Sequence, residues 1–286
     1  MLREVPVTKG NLSVFAKYRN SCPFVFDFAN PVDGAGLVSA LQNTGSWGAA
    51  DDSEVIVDGS GGAADDSEVM VDVLVAKDGR TFLKHELTET ESVPLSTGLA
   101  QVLGDCETAS HRRYLRAYLD KVKSWRNVIS PMLDILNPLR EPGEKFKEAN
   151  VGIWVSQAGC ETPLHFDLCH GFLLQQQGYK TFYLAPPRDS NCLYWNPDKN
   201  GKNKTTSEID FFAWKAGDIE QLRRFPEVGG AAWKVARLSP GMALYTPPGW
   251  WHAVISETTS ISVLVPLDPS GEQELLKLPH NVALLS

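Results

Sequence analysis

The chain has no cysteine pair at C-x-x-C spacing, and its five cysteines, Cys22, Cys106, Cys160, Cys169 and Cys192, are odd in number. That pattern excludes a disulfide-stapled scaffold and a zinc knuckle, so the thiols read as reduced. No apolar run reaches the roughly 18 residues that a membrane-spanning helix needs. The opening stretch MLREVPVTKGNLSVF carries no basic segment followed by an apolar one, so no secretory signal and no membrane are expected, and the reading is cytoplasmic or nuclear. Positive charge is in short supply: 27 Lys and Arg against 35 Asp and Glu leave a formal net charge of −8. A surface of that sign repels phosphate backbones, so nucleic acid is not favoured as a partner. The basic run HRRYLRAYLDKVKSWR, residues 111–126, reads as a solvated helix face.

What is present is ordinary for a folded protein: 286 residues, 43% hydrophobic and 22% charged, enough for one large core. Residues 1–109 read as flanking strands and helices with a duplicated loop at 48–72. Residues 110–268 read as the core, and 269–286 as a short tail, all within one structural domain. In the loop, GAADDSEVIVDGSG is followed by GAADDSEVMVD; one tandem copy is too few for a solenoid, which needs about three repeats. The valine alternation of EVMVDVLV predicts a strand.

From SHRRYLRAYLDKV the pattern turns helical. After it VGIWVSQAG, ETPLHFDLCHGFLLQQQGYK, TFYLAPP, WKVARLSPGMALYTPP and HAVISETTSISVLVPL read as short strands separated by turns. A polar, irregular excursion, NPDKNGKNKTTSEIDFFAWKAGDIEQLRRFPEV, interrupts them. Short strands at this spacing predict a mainly β fold, an antiparallel jelly roll or barrel with a pocket between two sheets.

The pocket's chemistry starts from ETPLHFDLCH. Residues two apart on a strand share a face, so His165 and Asp167 point together while Leu164, Phe166 and Leu168 take the other side. Alone, H-x-D is as well read as a core histidine bonded to a carboxylate. A carboxylate inside a sheet nonetheless costs several kcal/mol unless a cation meets it. YTPPGWWHAVIS then delivers His252 at the start of a later strand, and two histidines with one carboxylate make the facial triad that leaves open positions on non-haem Fe(II); zinc could take the same three residues. Lys180, in the second arm of a hairpin turned at Gly178, would be buried beside that centre unless an anion met it, and a dicarboxylate co-substrate supplies one; a lysine snorkelling to a barrel rim is the plainer alternative.

These stretches, with LSPGMALYTPPGWWHAVIS, the upstream RRYLRAYL and YRNSCPFVFDFA, resemble the JmjC/cupin-like family of Fe(II)- and 2-oxoglutarate-dependent oxygenases. Within it the chain is similar to the small hydroxylases of a hypoxia-inducible factor asparagine and of wybutosine in tRNA. The resemblance implies a double-stranded β-helix (jelly roll, cupin-like) with flanking helices. It implies His165, Asp167 and His252 as metal ligands and catalytic centre. Lys180, Thr162 and Tyr114 would hold 2-oxoglutarate, with O₂ as the oxidant and succinate and CO₂ released. A protein side chain or small molecule is the implied substrate of a hydroxylase. An RNA-modifying hydroxylase, an N-methyl demethylase and a non-catalytic metal-binding cupin are the alternatives. The sequence departs from these relatives at Gly171 and Pro266, where asparagines are usual, and its C-terminal stretch leaves little room for their dimerisation helices. Cys160, Cys169, His170, Trp250 and Trp251 crowd the same segments and read as packing residues.

Overall fold

The structure, a computed structural model, describes residues 3–5, 7–9, 19, 21–28, 69–82, 87–104, 111–140, 142–146, 148–195 and 205–267. Most of the duplicated loop, Cys106 and the tail 269–286 lie outside the described residues. In chain order the strands are β1 (Arg3–Glu4), β2 (Val7–Lys9), β3 (Phe24–Asp27), β4 (Met70–Ala76) and β5 (Thr88–Pro94), then helix α1 (Leu95–Leu103), β6 (Arg113–Tyr118) and helix α2 (Arg126–Leu136). There follow β7 (Gly152–Ser156), β8 (Glu161–Phe166), β9 (Gly171–Gln177) and β10 (Lys180–Ala185). Short helices α3 (Phe211–Ala216) and α4 (Ile219–Arg224) precede β11 (Lys234–Leu238), β12 (Met242–Thr246), β13 (Trp251–Ser256) and β14 (Ser260–Pro266).

Two sheets result, in the orders β1-β11-β10-β13-β8 and β2-β3-β12-β9-β14-β7-β6-β4-β5. Pairing is antiparallel except where β1 runs along β11 and β2 along β3. From β7 onward strands next in sequence alternate between the sheets, with the β10–β11 pair as the exception, which is the predicted jelly roll. Alternation sorts each strand's side chains into layers. Phe172 and Leu174 of β9 join Leu115, Ile153 and Val263 under α1 and α2, on the outer face of the larger sheet. Leu173 instead meets Phe182, Leu184, Leu244 and Val254 between the sheets. On the outer face of the smaller sheet, Leu164 and Phe166 pack with Trp251, Phe211 and Trp233. At one end the gap between the sheets is bridged by a buried hydrogen bond between the Ser156 and Ser256 hydroxyls, 2.8 Å apart.

Two sequence expectations are corrected. Residues 113–118 are a strand rather than the start of a helix, paired with β4 and β7. Their arginines suggested a solvated helix face, but Leu115 and Ala117 alternate into the core, and the first α-helix after them begins at Arg126. The excursion after β10 holds two short helices, each begun by an aspartate. Asp210 accepts from the Ala213 N–H and Asp218 from those of Glu220 and Gln221, satisfying amides that the first turn leaves open. The strand expected in EVMVDVLV is β4. No helix among the described residues is long and apolar enough to cross a membrane.

Candidate metal centre

His165 and His252 face each other directly across the β8–β13 ladder, with ring centroids 4.1 Å apart. The register then slips: Val254 pairs with Thr162, so β8 carries one residue more than β13 over this interval. The extra residue falls at Pro163–Leu164, where Pro163 has no N–H to offer a ladder. This bulge turns Thr162 to the cavity side, which strict alternation from His165 would not do. Asp167 lies just beyond β8, and its carbonyl accepts the Gly249 N–H at 2.8 Å. Gly249 has φ +75°, a left-handed conformation natural to glycine. The Pro-Pro-Gly turn that delivers His252 is thereby tied to the strand end that delivers Asp167.

The ligand atoms of His165, Asp167 and His252 lie within 4.8 Å of one another, and this is the cluster of metal-ligand type found among the described residues. Both imidazoles are oriented by backbone. Nδ1–H of His165 donates to the Pro163 carbonyl (2.8 Å) and that of His252 to the Trp250 carbonyl (3.0 Å). A carbonyl can only accept, so Nδ1 bears a proton in each ring and Nε2 is the nitrogen left to face a metal. Burial, with repulsion from His165 second, pushes His252 down to about 4, against the pull of Asp167, whose Oδ2 is 3.7 Å from its Nε2. The ring is neutral at pH 7 and ready to ligate. The Asp167 side chain is 45% exposed against 8% for that of His252, so the centre opens on the aspartate side.

Behind it the cavity narrows to about 40 Å³, lined by Tyr114, Thr162, Lys180 and the three metal-type residues, so every site residue named from the sequence borders one space. Lys180 is 2% exposed. Its Nζ lies 5.5 Å from the centroid of the Tyr114 ring, and among the described residues no carboxylate pairs with it. Burial lowers it to about 8. Burial also pushes the Tyr114 phenol far above its usual range, so its hydroxyl stays protonated.

Gly171 and Pro266 are direct partners across β9–β14. A Cβ at Gly171 would meet only Leu264 Cδ1, at 3.8 Å, so the position borders open space. Gly171, Leu264, Trp154, His165 and Asp167 also line an outer groove of about 590 Å³, which makes groove and cavity continuous. Sequence reasoning missed Trp154, Leu173 and Phe182 in the wall, although their alternation with outward apolar residues in β7, β9 and β10 carries the signal. Of the neighbours read as packing residues, Cys169 lines the outer groove instead, while Trp251, His170 and Cys160 pack as expected. Trp251 donates to Ser190 Oγ at 2.8 Å and stacks edge-on to Phe166; His170 Nδ1 lies 2.7 Å from the Tyr245 hydroxyl, buried; and the Cys160 thiol donates to the Arg113 carbonyl.

Residues 32–267 match the family model described as a cupin-like domain. Jumonji C domain-containing protein 5 of Drosophila melanogaster is 35% identical over 114 residues, 40% of this chain and 26% of that protein. JmjC domain-containing protein D of Dictyostelium discoideum is 37% identical over 121 residues, 41% of this chain and 25% of that protein. The chain thus spans about a quarter of the length of these relatives. Among solved structures, the Escherichia coli ribosomal oxygenase YcfD in complex with cobalt and 2-oxoglutarate aligns with a TM-score of 0.50 at 14% identity, over 93% of this chain and 54% of that one. At that identity the likeness is one of fold.

Proposed function

As the chain belongs to the cupin-like domain family, we propose that it is an Fe(II)- and 2-oxoglutarate-dependent oxygenase, acting as a hydroxylase on a protein or small-molecule substrate. The observation that carries this reading is Lys180: a buried ammonium without a carboxylate partner among the described residues, in a cavity whose other wall is a His-Asp-His cluster. Two imidazoles and one carboxylate fit ferrous iron and leave positions free for a chelating co-substrate and O₂. Iron held by His165, Asp167 and His252 would supply O₂ activation coupled to decarboxylation of 2-oxoglutarate to succinate and CO₂, with one oxygen atom passing to the substrate. A solved structure of the same fold is a complex with cobalt and 2-oxoglutarate, a metal and a co-substrate of the kind proposed here.

The chain's own residues do the rest. Lys180 offers a charged donor to the distal carboxylate, and the hydroxyls of Tyr114 and Thr162 border the same space as further donors. Lys180 is paired with Ser256 and Leu184 with His252, four strand steps apart, or roughly 13 Å at about 3.3 Å per residue. That span accommodates a lysine side chain followed by a five-carbon dicarboxylate. Leu173, Phe182, Val254 and Leu264 line the walls and exclude water from the reacting end.

The test is stoichiometric binding of Mn(II), followed by 2-oxoglutarate binding to the metal-loaded protein alone, and succinate formation when Fe(II) and O₂ replace Mn(II). Metal and co-substrate bound without succinate would mark a non-catalytic cupin. Absence of metal binding would overturn the assignment of the triad.

A second measurement concerns Gly171. Its backbone is unstrained and its Cβ direction is open, so Gly171→Asn should fold as the wild type does. A new amide beside the centre should change 2-oxoglutarate KM, or the ratio of succinate to oxidised substrate, by about two- to twelvefold, the equivalent of a neutral hydrogen bond of roughly 0.5–1.5 kcal/mol. Unchanged kinetics at unchanged Tm would show that the position does not border the reacting centre.

A further inference from the structure

The outer groove is lined by Arg116, Tyr118, Asp120, Lys121, Asn150 and Trp154 where it meets His165 and Asp167. Residues two apart on β6 share a face, so Tyr114, Arg116 and Tyr118 form one row that runs from the inner cavity out along the groove. Arg116 is the middle member. It stands directly opposite Trp154 on one side and Asp72 on the other. Asp72 is the natural partner for a guanidinium at that register, yet no ion pair forms between them, and among the described residues no other carboxylate pairs with Arg116. Its Nε is sealed from solvent with no acceptor. A cation whose inner nitrogen is dehydrated and whose carboxylate neighbour goes unused has forgone compensating hydrogen bonding. An anion arriving in the groove restores it. The planar fork suits a carboxylate or phosphate held by two parallel bonds.

The rest of the groove narrows the class of molecule that carries this anion. Asp120 lies in the same groove as Lys121, so the lining alternates in sign and is not uniformly basic. A polyphosphate strand would meet repulsion at Asp120, and the chain's net charge of −8 adds to it. A polypeptide with one acidic residue and a basic neighbour matches both signs. Resting on the oxygenase reading above, we propose that the outer groove binds a polypeptide substrate, and that Arg116 determines specificity by pairing with an acidic or phosphorylated side chain near the residue presented to His165 and Asp167.

The test uses the full chain and three fluorescein-labelled decapeptide pools, otherwise random and matched in composition, with glutamate, phosphoserine or glutamine fixed at the centre. Binding is read by anisotropy at physiological salt with Mn(II) and 2-oxoglutarate present. The wild type should bind the glutamate or the phosphoserine pool at least tenfold more tightly than the glutamine pool, and whichever is tighter identifies the anion. Arg116→Gln should bring the pools within twofold of one another, and Arg116→Lys, which keeps the charge and loses the fork, should retain part of the preference. Equal binding of all three pools by the wild type would overturn the proposal, as would a preference that survives in Arg116→Gln. If Arg116→Gln does not fold, the wild-type comparison and Arg116→Lys decide it, since a preference undiminished in the lysine variant also counts against the fork. Peptide-independent succinate formation by the wild type is measured in parallel. A lost preference with intact turnover overturns only the anchor, whereas a preference without turnover overturns only the oxygenase reading.

Discussion

His165→Ala is expected to bring 2-oxoglutarate turnover to background and to abolish stoichiometric Mn(II) binding, while the protein remains folded. The imidazole supplies one of three protein ligands, and among the described residues the cluster holds no fourth ligand to replace it. The residue sits on edge strand β8 with its ring toward the cavity, so its removal leaves Leu164 and Phe166 packed on the far side of the sheet. Asp167→Ala should behave alike. The measurement is succinate formation alongside a thermal melt. Wild-type turnover in either variant would show that the centre lies elsewhere.

The second large effect is expected at Lys180. Lys180→Met should raise the 2-oxoglutarate concentration needed for half-maximal activity by about ten- to a hundredfold, since a charged hydrogen bond contributes roughly 1.5–3 kcal/mol, and should leave Mn(II) affinity nearly unchanged. It should also stabilise the ligand-free protein. Burial lowers the lysine from 10.5 to about 8, so between those values the unfolded chain binds more protons than the folded one and wild-type stability rises with pH. Below pH 8 the penalty is fully present, on the order of 3 kcal/mol, and methionine at the same place does not incur it. Binding carries the opposite sign: wild-type affinity for 2-oxoglutarate should fall as pH rises past 8, because the cation it needs is being lost. Titration calorimetry from pH 7 to 9.5 checks this, and a flat profile would remove Lys180 from the carboxylate.

The fold was legible where the apolar period was 2, as in MVDVLV and SISVLV, and the site was legible where a polar residue broke into an apolar run. His165, Asp167 and Lys180 are conspicuous because each is out of place among apolar neighbours. Arg116 was hidden for the opposite reason. In HRRYLRAYLDKV the charges recur at three- and four-residue intervals, which copies the period of a helix face, whereas the deciding fact is that Leu115 and Ala117 are buried between β4 and β7. Neighbouring strands impose that, and they come from 70–76 and 152–156, beyond the reach of any local pattern. The bulge at Pro163 was equally out of sight, because it exists only as a mismatch between two strands about ninety residues apart.

The bond between Ser156 and Ser256 ties the two sheets together at the end of the cavity where Lys180 sits. The outer groove joins the cavity at the metal end, so that among the described residues a molecule seated in the groove would cover the way in from that side. Traffic through such a space is last in, first out. A co-substrate reaching for Lys180 has to arrive before anything settles in the groove, and its remnant cannot leave until the groove clears. A peptide seated in the groove, as proposed, would act as a stopper as well as a substrate, and one that binds there without reacting would inhibit by trapping what lies beneath it.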